Sequence, residues 1–285
     1  MVVDHSPSTM RLALLSPIHG QSIDHITRQL ENYRVFLAPF ELRHYFHVSL
    51  ESYPELQSDL TAFAEREGHN IVFTQHRRPT WRYCTADALS ELIKSALSCP
   101  AEHDAVLIHT DADLIFSSEI KTSILTRMIH CGDKKFKTRT HWKWIQRSLA
   151  DPRLKAFTDQ YFKGDFNSLS RGRVCGSLIP WNIFEKFGNI YLSNFDNTYF
   201  ESTSDTQWPL TEVSIPSILR IISGDAQHFL PPLITAPKKK LITVRDITRA
   251  LKKGDSFGLK KISRDTNSEA FHYLMALQAK AAKEA

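Results

Sequence analysis

Residues 105–116, AVLIHTDADLIF, constrain this chain more than any other stretch. The apolar run 105–108 reads as a buried strand. His109 and Thr110 follow, then two aspartates one residue apart, Asp111 and Asp113, and then apolar Leu114, Ile115 and Phe116. A strand with carboxylates at its C-terminal end delivers them to the crevice where open α/β sheets bind ligands. Carboxylates at i and i+2 can share a divalent cation, and that cation can hold a diphosphate. An acidic strand-end turn with no ligand would be spelled the same way.

The surrounding segments agree with such a sheet. Residues 11–16 read as a first strand, and Pro17, His19 and Gly20 as its turn. Ser22 or Asp24 caps a helix whose Ile23, Ile26, Leu30, Tyr33 and Leu37 recur at helical spacing. Residues 42–48 make a second strand, and Pro54 opens a helix with Leu56, Leu60, Phe63 and Ala64 on one face. Residues 71–74 are a short third strand, 75–80 a basic proline-broken turn, and 81–97 a helix. Strands alternating with helices predict an α/β fold, a mostly parallel sheet covered on both faces.

Beyond the acidic turn the pattern changes. Residues 131–173 crowd Lys134, Lys135, Lys137, Arg139, Lys143 and Arg147 with Trp142 and Trp144, and read as an insertion over the active face. Residues 174–180 form another strand, 181–187 helical turns, and 189–206 a polar loop. Pro216 fits only the first turn of a helix, so Glu212 is expected at or just before a helix start. Residues 238–264 are strongly basic, and 268–285 read as a terminal amphipathic helix. The organisation predicted is one domain over 1–285: a ligand-binding half (10–130), a second half (131–235) and a basic C-terminal extension (236–285).

With 285 residues and 42% hydrophobic composition a full core is expected. No stretch approaches the ~20 apolar residues of a membrane span, and the first ten residues lack a secretory pattern. The four cysteines, at 84, 99, 131 and 175, are too scattered for a disulfide framework or zinc site. A cytoplasmic protein is expected. A net charge of +5 favours an anionic ligand or an anionic membrane surface. Basic segments with interleaved aromatics also fit single-stranded nucleic acid, which leaves the Asp111/Asp113 strand end without a purpose.

The order of dispersed pieces carries a resemblance: LSPIHG, YFHVSLES, RRPTWRYCTADALSELIKSAL, HTDADLIF, GSLIP, TEVSIPSIL and SFGLKKISRD. Together they resemble the core-2/I-branching β-1,6-N-acetylglucosaminyltransferase family, which includes peptide xylosyltransferases. The DAD triplet also resembles the DxD motif of GT-A nucleotide-sugar transferases. The resemblance implies a GT-A fold and inverting transfer of a sugar, N-acetylglucosamine, from a UDP-sugar to a hydroxyl of a glycan or lipid-linked glycan acceptor. Such a bacterial enzyme would serve surface polysaccharide or lipopolysaccharide synthesis, with peripheral contact to an anionic membrane and no nucleic-acid partner. It implies Glu212 as catalytic base, Asp113 as the strand-end aspartate, and Lys260 and Lys261 as holders of the donor diphosphate.

One departure stands out. Animal members of the family lack a complete DxD and work without metal, whereas this chain has Asp111 as well as Asp113. Either the two aspartates bind Mn²⁺ or Mg²⁺, or the C-terminal lysines do that work. Further donor-side candidates are Ser16, Pro17, His19, Val48 and Arg78, with Trp81 beside them; His47 and His109 also sit at strand ends. Trp142, Trp144 and Arg173 are the acceptor-side candidates. Two other readings are a metal-dependent GT-A transferase of another family, retaining or inverting, and a non-enzymatic nucleic-acid binder using the basic stretches.

Overall fold

The computed structural model describes residues 9–80, 85–99, 102–196, 209–224 and 229–284. It begins with β1 (Arg11–Ile18), α1 (Ile23–Leu37), β2 (Glu41–Val48), α2 (Leu56–Glu67), β3 (Ile71–Phe73), α3 (Ala86–Ser98) and β4 (Ala105–Ile108). The middle of the chain holds β5 (Asp113–Ile115), α4 (Ile120–Leu125), β6 (Lys134–Lys135), α5 (Ile145–Ala150), α6 (Pro152–Phe162), β7 (Ser170–Arg171), β8 (Ser177–Pro180) and α7 (Trp181–Phe195). Then come α8 (Leu210–Ser223), β9 (Ile234–Thr235), α9 (Val244–Lys253), β10 (Gly258–Lys260) and α10 (Glu269–Glu284).

The main sheet runs β3-β2-β1-β4-β8. Its first four strands are parallel and β8 is antiparallel to β4. The fold is therefore mixed α/β, with a mostly parallel central sheet flanked by helices. One apolar cluster joins α3, α7 and α8 to one face of the sheet; another joins α1, α9 and α10 to the other. A three-stranded sheet, β5-β10-β9, and a small β6-β7 pair complete the architecture. Among the described residues no helix is long and apolar enough to cross a membrane, and Cys131 and Cys175 are free thiols.

Four segments differ from the sequence-based expectation. Pro17 lies inside β1 rather than in a turn, paired in register with His47. Leu15 faces β4, since its carbonyl accepts from His109, whereas Ile18 faces β2 through Ser49. Alternation then puts the missing N–H of Pro17 on the β4 side, beyond the end of β4, where no ladder bond is lost. Residues 189–195 are helix, not loop: Phe184, Phe187, Tyr191 and Phe195 form one buried stripe that carries α7 through its asparagines. The strand expected over 174–180 is confined to Ser177–Pro180. Pro216 sits inside α8, and Glu212 is in that helix's first turn. Of the helix expected over 81–97, α3 covers Ala86–Ser98, and Trp81 lies outside the described residues.

Candidate active site

The acidic turn at the end of β4 is held on every side. Asp113 accepts from the Thr110 N–H at 2.7 Å, and the Asp113 N–H returns a bond to the Thr110 carbonyl at 3.1 Å. Asp111 accepts from the His19 N–H at 2.9 Å, tying the exit of β1 to the turn. Three polar residues on one face of α1 grip it from behind. His25 bonds the Asp111 carbonyl, Gln29 donates to the Thr110 and Asp113 carbonyls, and Asn32 bonds both the N–H and the carbonyl of Ile115. Their spacing, i, i+4 and i+7, is what one helix face requires. Gln29 and Asn32 are buried. Attention to apolar periodicity alone passes over them; the signal in the sequence is a polar stripe beside the apolar one.

The chain's late segment supplies the charge. β10 pairs antiparallel with β5 so that Lys260 stands opposite Asp113, and directly opposed residues present side chains to the same face. Lys261 follows with φ +71° and donates its N–H to the Ala112 carbonyl at 2.8 Å. Arg264 donates to the Asp111 carbonyl at 2.9 Å. Burial pushes the Asp111 and Asp113 carboxyls up, and Lys260 and Arg264 pull them back toward ionisation. Burial works against the charge on Lys260 as well, yet the carboxylates of Asp113 and Asp111 help hold its ammonium above the ordinary lysine range. Its Nζ lies 3.6 Å from Cys175 Sγ, a thiol that burial pushes up to about 11 and so keeps neutral.

Glu212 is delivered by α8. A helix carbonyl normally accepts from the N–H four residues on. For Glu212 that residue is Pro216, which has no N–H. The freed carbonyl accepts instead from Gly172, at the end of β7, at 2.8 Å. Gly172 can come this close because it and Gly132 lie back to back: a Cβ on Gly172 would stand 1.8 Å from the Gly132 carbonyl oxygen. Ser217 bonds the N–H and carbonyl of Ser170, and Arg220 pairs with Asp133, so α8 is clamped along its length to the β6-β7 ribbon. Burial raises the Glu212 carboxyl above the usual glutamate range, while Thr211, Lys260 and Arg173 draw it down.

A cavity of about 530 Å³ opens between these parts, its wall including Pro17, His109, Trp144, Arg173, Cys175, Glu212, Lys260 and Lys261. Lys260 acts electrostatically on Asp113 below and on Glu212 across the cavity. His109 is held neutral, its pKa lowered to about 3 by burial. Of the sequence-derived candidates, Pro17, Trp144, Arg173, Glu212, Lys260 and Lys261 meet here. Asp111 and Asp113 lie at the strand tip beneath, and His19 acts through its backbone.

The other candidates are placed elsewhere. Ser16 and Val48 are buried, Val48 in the cluster around α1 and α2. Arg78 donates its N–H to His47 and approaches Glu91 of α3 at 3.5 Å. Trp142 packs on the core, edge-on to Phe136 and beneath Arg171.

A DxD pattern implies a divalent cation. Among the described residues no group of three or more His, Cys, Asp or Glu is arranged to hold a metal ion. Asp113 Oδ1 is buried without a hydrogen-bond partner, but the nearby positive charge comes from Lys260 and Arg264. Two carboxylates already facing two fixed cations do not make a resident metal centre.

No family model and no curated protein matches the chain. Among solved structures it is similar to the galactosyltransferase LgtC in complex with donor and acceptor sugar analogues, at 10% identity over 95% of this chain and 96% of that one, TM-score 0.45. An active-site mutant of LgtC gives 10% identity, 95% and 96% coverage, and TM-score 0.47. S. aureus TarS gives 12% identity over 43% of this chain and 21% of that one, TM-score 0.31. At these identities and scores the chemistry has to be read from the cavity's own side chains.

Proposed function

We propose that the protein is an inverting GT-A-type glycosyltransferase that moves a sugar from a nucleoside diphosphate to a hydroxyl of a glycan acceptor. The observation that carries this is one cavity with a lone carboxylate, Glu212, on one wall and Lys260 and Lys261 at the acidic strand tip. Glycosyl transfer presents two electrostatic demands. The acceptor hydroxyl must lose a proton as its oxygen attacks the anomeric carbon. The bond from that carbon to the diphosphate breaks at the same time, and the leaving oxygen gains charge. Glu212 takes the proton; Lys260 and Lys261 face the diphosphate. With Glu212 as base and the two lysines at the diphosphate, the reaction proposed is a single displacement that inverts the anomeric carbon.

UDP and N-acetylglucosamine as donor rest on the motif order set out above, as does a surface-polysaccharide or lipid-linked acceptor. Peripheral contact with an anionic bilayer is supported by α9. Arg245, Arg249 and Lys252 recur on its exposed side, and Leu241, in the loop before it, is 64% exposed. A nucleic-acid role is weakened because Lys260 and Arg264, from the same basic stretch, are committed to the acidic turn. The decisive test is Glu212→Gln. Transfer should fall to background while UDP binding, followed by calorimetry, persists, and the wild-type product should have inverted anomeric configuration by NMR. Full activity of the variant would discard the assigned base. Activity abolished by a chelator would discard the lysine-based account of the leaving group.

A further inference from the structure

The cavity holds more positive charge than a donor diphosphate calls for. Among the described residues its wall carries five cationic side chains, Lys143, Arg173, Lys238, Lys260 and Lys261, and one carboxylate, Glu212. Lys260 is already balanced by Asp111 and Asp113 beneath it. The other four form no ion pair among the described residues.

These cations come from different parts of the chain. Lys261 is fixed at the strand tip through its N–H to the Ala112 carbonyl, beside the place assigned to the diphosphate. Arg173 lies near enough to Glu212 to pull its carboxyl down, which places it by the base and therefore by the attacking hydroxyl. Lys143 sits 4.5 Å over the Trp144 ring, and Arg147 approaches the same ring at 5.2 Å. The Trp144 indole thus steadies cations at the cavity wall by its ring quadrupole, in addition to any stacking it offers a sugar. An aromatic platform that holds a lysine, in the same cavity wall as an arginine near the base, is suited to an anion and wasteful for a neutral sugar.

We infer that the acceptor is an acidic glycan, whose carboxylate or phosphate is recognised by Arg173 and Lys143. This rests on the transferase reading above and names the substrate class of its second site. Charge-assisted hydrogen bonds are the stronger kind and give selectivity between acidic and neutral acceptors that shape alone does not.

The test begins with calorimetric titration of UDP into the full chain. Oligosaccharide acceptors in three forms, neutral, uronate-bearing and phosphate-bearing, are then compared by initial rates with wild type, Arg173→Ala and Lys143→Ser. Both substituted side chains are exposed, so unchanged thermal unfolding checks the fold. The expected result is a KM about tenfold lower for an acidic acceptor than for the neutral one, the size of a single hydrogen bond to a charged group. Each substitution should erase that preference while donor KM and UDP affinity hold. The uronate and phosphate arms identify which anion is meant. Equal KM values for acidic and neutral acceptors overturn the inference, and so do substitutions that raise donor KM instead, since the cations then serve the donor. Those results leave UDP binding intact; failure of UDP to bind overturns the transferase reading itself.

Discussion

Lys260 is the residue on which the site's electrostatics turn. Among the described residues it is the one cation that acts on all three of Asp111, Asp113 and Glu212, carboxyl groups that burial pushes toward neutrality. Its ammonium keeps the strand tip ionised and draws the Glu212 carboxyl down from where burial alone would leave it. A general base acts only when deprotonated. Activity should therefore fall as pH drops through the pKa of Glu212, which burial sets above the usual 4.5 of glutamate. Lys260→Met should move that acid limb upward and lower kcat by about 10²–10³, as loss of a preorganised cationic donor does in comparable sites. A pH–rate profile of both proteins checks this; an acid limb unmoved by the substitution would mean Lys260 does not act on the base.

At the scale of elements, α8 shows how the sequence both reveals and conceals a site. Glu212 near a helix start was legible, though by way of a proline read as belonging to the first turn. Pro216 was not, because a proline in a helix interior costs about 3 kcal/mol and reads as a boundary. The structure uses that cost: the carbonyl it frees is the one Gly172 holds. Gly172→Ala should lower stability by about 1–3 kcal/mol, the usual range for overpacking, because its Cβ has no room against Gly132. It should also lower kcat with donor KM little changed, since Glu212 moves and the strand tip does not. Urea denaturation and steady-state kinetics measure the two effects, and a variant with native kcat would show the clamp to be irrelevant to the base. The strand 105–108 was legible to the residue, as an apolar run bounded by polar ones. The grip of His25, Gln29 and Asn32 was not, since a helix's polar face ordinarily means solvent.

At the scale of the molecule, the histidines set the response to acid. Burial lowers His25, His47 and His103 to about 4 and His109 to about 3, and also depresses His44 and His130. Their folded-state pKa values lie below the ordinary 6.5, so the unfolded chain binds more protons as pH falls. The stability they carry is complete above about pH 6.5 and is lost progressively toward about pH 4. Asp111, Asp113 and Glu212, with raised pKa values, oppose this and are outnumbered. The urea midpoint should drop between pH 7.5 and pH 5; an unchanged midpoint would contradict neutral burial of these rings. The parallel sheet was legible because each of its strands is a local apolar run. The β5-β10-β9 sheet was not, because its pairing joins segments far apart in the chain and two of its strands have three residues each.

That pairing bears on the order in which the protein can be made. Arg264 meets the turn from 153 residues downstream, and Lys260 arrives on the same late strand. While the chain is still emerging from a ribosome, the first four strands can associate with the two aspartates still open to water. Drying of the pocket and arrival of its cations then belong to one closing event, so a half-synthesised chain has the frame of the site and none of its charge balance.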